Sequence, residues 1–203
     1  MSDQNHPTTE TVKTPSWVLN RHPGTRPEDW KKHGNVWVHI NATVGADATV
    51  GADATVGDRA TVGIGATVGI GATVGDRATV GDRATVGIGA TVGDDATVGV
   101  GATVGDSATV GVGATVGDSA KFLVSPITIQ GSKHAVYASS IDRIGIGCQI
   151  RSVPDWLENY QDIGKRFDYT DAEIAEYGEH IRYVAKWLET NRARILGEPE
   201  TQS

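Results

Sequence analysis

Between positions 42 and 119 the chain reads Ala-Thr-Val-Gly-x-x thirteen times, without an insertion. An apolar valine returns every six residues, from Val44 to Val116. Valine is stiff at χ1 and favours extended backbone. Side chains alternate sides along an extended segment, so Ala42 and Val44 share one face and Thr43 takes the other. Gly45 ends the segment and the next two residues form a corner. The second corner residue is often Gly or Asp, both tolerant of left-handed backbone. A short strand and a bend every six residues predict a triangular coil with three hexapeptides per turn. Valines stack inside with small alanines beside them, and threonines line the outer faces.

The flanks break this rhythm. Residues 1–15 are polar and aperiodic, which predicts a disordered tail. Residues 16–35 contain Trp17, Val18, Leu19 and Trp30 and read as a cap over the open coil end, with a helix start at Pro27-Glu28-Asp29-Trp30. The coil occupies 36–125. Pro126 stops it, and 126–153 reads as one strand (127–129) and a hairpin (134–138 with 144–150). On that hairpin Ile144, Ile146, Cys148 and Ile150 share a face that covers the last coil. Residues 154–197 read as two helices, the first from Pro154 to about Lys165 with Trp156, Leu157, Tyr160 and Ile163 as its apolar stripe. The second opens on a capping box at Thr170 and Glu173, with Ile174, Tyr177, Ile181, Val184, Ala185 and Leu188 as its apolar stripe. Residues 198–203 are expected to fray.

The unit Val44-Gly45-Ala46-Asp47-Ala48-Thr49 resembles the motif of the hexapeptide-repeat family: an aliphatic residue, a small or acidic one, two free positions, a small one and one more free position. Val36-Trp37-Val38-His39-Ile40-Asn41 and Ala120-Lys121-Phe122-Leu123-Val124-Ser125 fit as degenerate units at the two ends. The resemblance implies an all-β solenoid, a left-handed parallel β-helix of about five triangular coils, here capped by a β-hairpin and two C-terminal α-helices. Many members are acyltransferases that use coenzyme A or acyl carrier protein. They are usually homotrimers with active sites between subunits, a histidine base near the coil, and a loop excursion that shapes the site.

Formal charge is -7, and nine Asp against three Arg place -6 of it between positions 42 and 119. A negative coil argues against nucleic acid or an anionic membrane as partner. Cys148 is the single cysteine, so no internal disulfide is possible. Its place among alternating apolar residues predicts a buried, inert thiol. No apolar run approaches membrane-spanning length and no signal-peptide core follows Met1, so a cytoplasmic location is expected.

The candidate chemistry is sparse. Histidine is absent between Asn41 and His134, and no loop interrupts the repeats. His39, read as projecting outward, and His134 are the two candidates for a catalytic base. The spacing of His33 and His39 does not match the zinc ligands of γ-class carbonic anhydrases, so no metal is expected. Outward threonines form single columns such as Thr43, Thr61 and Thr79, which raises ice binding as a minor reading. Stacking corners eighteen residues apart gives three edges. One carries Asp-Arg pairs suited to cross-coil ion pairs, and another sets Ile70 under Ile88. Apolar corners at Ile64, Ile70, Ile88, Val100 and Val112 have no site inside a filled coil, so these residues and Trp187 are the interface candidates. Near-identical units supply length rather than the distinct residues that a catalytic site needs. The sequence therefore reads as a structural or interaction protein, a homotrimer without cofactor, with any specific recognition in the C-terminal hairpin and helices. The alternative is an acyltransferase-like enzyme using coenzyme A.

Overall fold

The computed structural model describes residues 13–199. The rest of the two expected tails, 1–12 and 200–203, lies outside the described residues. Thr14, placed in the first tail by sequence, is 5% exposed and donates its hydroxyl to the Pro27 carbonyl at 2.6 Å. The N-terminal segment is a short helix α1 (Ser16–Arg21), a single 3-10 turn (Pro27–Asp29), and strands β1 (Trp30–His33) and β2 (Val36–His39). The helix expected to start at Pro27 is thus only that turn. Trp30 leaves it in extended backbone and β1 pairs antiparallel with β2.

Thirteen two-residue strands follow, from β3 (Thr43–Val44) to β15 (Thr115–Val116), and then β16 (Lys121–Phe122). Each pairs in parallel with the strand eighteen residues away, as Val68 does with Val86. The result is three ladders wound into a solenoid of about 5 turns. Every repeat valine from Val56 to Val116 is 0% exposed. In the first coil Val44 is 39% exposed and Val50 is half-buried. The expected fully internal set fails there because β1 extends only the ladder that contains β2.

The corners follow one backbone rule. All thirteen second corner residues, eight non-glycines and five glycines, have positive φ. Three are arginines, Arg59, Arg77 and Arg83, at 53 to 58°. The glycines that follow the valines from Gly45 to Gly105 have another cause, because adjacent coils almost touch there. A Cβ on Gly69 would lie 2.6 Å from the Gly87 carbonyl carbon. The corner aspartates also reach the neighbouring coil. Asp76, Asp82, Asp94, Asp106 and Asp118 each accept the backbone N–H of the residue eighteen positions earlier, at 2.8 to 2.9 Å. On the edge expected to hold ion pairs, Arg77 grips Asp95 through two bonds of 2.6 Å.

The C-terminal module is an antiparallel sheet of β17 (Thr128–Gln130), β18 (Ala135–Ser140), β19 (Arg143–Ile146) and β20 (Gln149–Ser152), with helices α2 (Val153–Arg166) and α3 (Asp171–Leu196). The expected strand over 144–150 is two strands. Gly147 turns the chain at φ 54°, so Cys148 sits exposed in a hairpin turn and Ile150 is 37% exposed. This corrects the shared face and the buried thiol. Ser152 caps α2 by accepting the Asp155 amide. Thr170 and Glu173 cap α3 reciprocally, and Gly197 ends it in the left-handed conformation. The expected stripe of α3, from Ile174 to Leu188, is buried except for Ala185, which is half-buried.

This module joins the coil at one end. Gly117 donates to the Ser139 carbonyl at 2.8 Å, beside the β18–β19 turn. The far end of α3 returns to the last coil, where Leu123 donates to the Ile195 carbonyl and the Lys121 ammonium to that of Leu196.

Candidate functional site

Two places gather the aromatic and titratable side chains. The first lies under the N-terminal segment. His22 is 1% exposed, and its Nδ1 is 3.1 Å from Asp76 Oδ1 while its Nε2 is 3.0 Å from Thr55 Oγ1. The neutral imidazole fits both contacts, with Nδ1–H donating to the carboxylate and Nε2 accepting from the hydroxyl. Burial pushes His22 below its ordinary value of 6.5 and outweighs the opposing pull of Asp76. The Trp30 ring lies 4.8 Å from that of His22 and 5.3 Å from that of His39. His39 is 4% exposed, with Nδ1 3.2 Å from Asp58 Oδ1. Its expected outward projection is therefore corrected, because the N-terminal segment folds over it.

An acid, an imidazole and a hydroxyl in line suggest an activated nucleophile. Thr55, however, is 0% exposed, so no substrate atom reaches its hydroxyl. The cluster works as a latch that seats the N-terminal segment on two successive coils. Two residues of the latch, His22 and Thr55, had no part in the sequence-derived site. Their partners lie up to 54 positions away, and no local pattern marks such contacts.

The second place is a cavity of about 430 Å³ in the C-terminal module. Trp156, Tyr160 and Phe167 of α2 and its C-cap form one wall, and Ile174, Tyr177 and Ile181 of α3 form another. The turns β17–β18 and β19–β20 bring His134 and Cys148 to its mouth. The β18–β19 turn rests on the coil, so the cavity opens at the opposite end of the sheet.

The Tyr177, Trp156 and Lys133 polar atoms around the cavity are engaged. The Tyr177 hydroxyl accepts from the His134 amide at 2.6 Å and from the Lys133 amide at 3.0 Å, and donates to the His134 carbonyl at 2.9 Å. Trp156 Nε1 donates to the Ile144 carbonyl at 2.8 Å. The Lys133 ammonium lies 3.1 Å from Glu173 Oε2 and over the Tyr169 ring. Burial, followed by the neighbouring Tyr177, pushes the Tyr169 phenol up to about 12. Glu173 therefore both caps α3 and fixes the cavity mouth.

Of the sequence-derived interface candidates, the five apolar corners all face solvent. Ile64 is 56% exposed, Ile70 and Ile88 54% each, Val100 44% and Val112 66%. The Gly89 amide bonds to the Ile70 carbonyl at 2.8 Å, so Ile70 and Ile88 sit one above the other. Trp187 is half-buried against the module core. Among the described residues there is no group of three or more His, Cys, Asp or Glu placed to hold a metal ion. No described helix is long and apolar enough to cross a membrane.

No protein-family model and no curated protein matches the chain. Solved structures do match over part of it. One is the acetyltransferase domain of PglB from Neisseria gonorrhoeae, at 26% identity over 44% of this chain and 50% of that one, with a TM-score of 0.34. Another is serine acetyltransferase from the same organism, at 18% identity over 47% and 40%, TM-score 0.37. A third is PerB from Caulobacter crescentus, at 28% identity over 48% and 52%, TM-score 0.27. The chain thus spans about half the length of the structures it resembles. The unbroken six-residue repeat, its three parallel ladders and the eighteen-residue stacking make this chain a parallel β-solenoid of about 5 turns, consistent with the left-handed β-helix of hexapeptide-repeat proteins.

Proposed function

We propose that the chain is an interaction protein: a rigid coil assembled as a homotrimer, holding a C-terminal module that does the recognising. The observation that carries this reading is the placement of the cavity. It opens at the tip of the module, away from the coil junction, while thirteen uninterrupted repeats serve as the riser. Acyl transfer on this fold would need a histidine base open to an acceptor beside the coil. His39 is shut beneath Trp30, and His134 stands at the module tip. Both placements favour the non-catalytic reading over the acyltransferase one. The stacked, exposed Ile70 and Ile88 support self-association, since contiguous exposed apolar side chains mark interaction surfaces.

The test is sedimentation equilibrium on the parent and on an Ile70→Asp, Ile88→Asp double variant. The new carboxylates would stand where Asp82 and Asp106 stand in other corners and would accept the amides of residues 52 and 70. The coil should therefore stay folded while association is lost. A monomeric parent, or a double variant that remains trimeric with unchanged affinity, overturns the assembly.

A further inference from the structure

The geometry points to the C-terminal cavity as a binding site for a small, flat, uncharged aromatic molecule. This deepens the reading of the module as the recognising part. Its walls are rich in rings: Trp156, Tyr160, Phe167, Tyr169 and Tyr177 all border the same space. Aromatic rings pack edge-to-face and offset against one another, so such walls favour a flat guest over a flexible chain. Tyr169 and Tyr177 already meet edge-on at 5.0 Å, and a third ring extends that pattern.

The polar chemistry selects against charge. The Trp156 indole N–H is spent on the Ile144 carbonyl, and the Tyr177 hydroxyl on the β17–β18 turn. A guest with donors or acceptors deep in the cavity would lose its water without replacement bonds. At the mouth, Lys133 is neutralised by Glu173 and further bound to the Asp168 carbonyl at 3.1 Å. A carboxylate guest would have to compete with Glu173 for that ammonium. The volume of about 430 Å³ falls within the ~300–1,000 Å³ usual for small-molecule sites. Exposed Cys148 stands at the mouth, where a guest would shield it.

The experiment uses the full chain, with indole as the aromatic probe and dodecanoate as a linear acyl probe. Calorimetry is expected to give saturable binding of indole and none of dodecanoate. As indole occupies the site, alkylation of Cys148 by iodoacetamide should slow in proportion. A Cys148→Trp variant, whose side chain fills the mouth, should lose the indole heat while keeping the parent's far-ultraviolet circular dichroism. The alkylation measurement needs no variant and stands if that one misfolds. No saturable indole binding up to its solubility, binding of dodecanoate instead, or indole binding without protection of Cys148 overturns the proposal. Sedimentation of the same samples reports assembly separately, so an empty cavity in an intact trimer refutes this site and leaves the oligomer standing.

Discussion

Asp106 Oδ1 accepts the backbone N–H of Ile88 at 2.8 Å, across eighteen residues and one turn of coil. The corner aspartates are thus not interchangeable with the apolar residues that alternate with them. Asp76, Asp82, Asp94, Asp106 and Asp118 each supply an acceptor to an amide in the preceding coil, which an Ile or Val in the same place cannot do. Replacing Asp106 by Ala removes that acceptor and is expected to cost about 1 kcal/mol in urea denaturation. Asn, which keeps a carbonyl oxygen, should retain most of it. A midpoint unchanged in Asp106→Ala would mean that the bond contributes nothing to stability.

Gly69 tests how closely the coils approach. A methyl group there would meet backbone, the Gly87 carbonyl carbon at 2.6 Å and the Ile88 amide nitrogen at 2.6 Å, with no flexible side chain to give way. Gly69→Ala should lower the thermal midpoint markedly, although alanine normally stabilises extended or helical backbone relative to glycine. Gly113→Ala is the control, since its added Cβ has nothing within 4 Å but the residue sits at φ 65°. Steric contact predicts a larger loss at Gly69. Equal losses would point to backbone conformation alone.

Thr170→Ala should destabilise the C-terminal module by about 1 kcal/mol, the usual cost of losing an N-cap. The Thr170 amide donates to Glu173 Oε2 at 2.7 Å, and the same carboxylate pairs with Lys133. A Glu173→Gln variant should therefore also loosen the cavity mouth, read as faster alkylation of Cys148. Alkylation as slow as in the parent would separate the cap from the cavity.

Acid should release the N-terminal latch. His22 titrates below 6.5 in the folded protein because it is buried, so between that lowered value and 6.5 the unfolded chain binds more protons than the folded one. Stability of the segment is therefore complete above pH ~6.5 and falls as pH drops through that window. Asp76 and Asp94 pull the value up and His39 pushes it down, so the net direction rests on desolvation. Trp30 packs on His22, so its fluorescence should report the change, and His22→Gln should flatten the response. A pH-independent signal in the parent would sink the assignment.

The coil was legible because one unit repeats. Val80 and its equivalents announce the same strand at the same spacing, and the corner rule needs only two residues. The capping box at Thr170 was legible for a similar reason, as its partners lie three residues apart. Cys148 was misplaced because alternation was carried through Gly147, whose positive φ turns the chain and reverses which face follows. The cavity was hidden inside a correct reading. Trp156, Tyr160 and Ile163 do line that face while Leu157, expected with them, is 43% exposed, and nothing in their spacing says that the facing helix leaves space between them. The latch depended on contacts between distant segments, and Thr55 looks like every other threonine until His22 covers it.

The left-handed second residue of every corner carries a further consequence. Because each hexapeptide bends the chain by the same amount, the number of units sets the rotational phase between the two ends. Gain or loss of a single unit would swing the C-terminal module by a third of a revolution about the coil axis, relative to the His22 latch. Gain or loss of three would restore the phase and change only the length, by ~4.8 Å. Descendants that differ by one coil remain superposable at both ends, whereas those that differ by one repeat point the cavity another way.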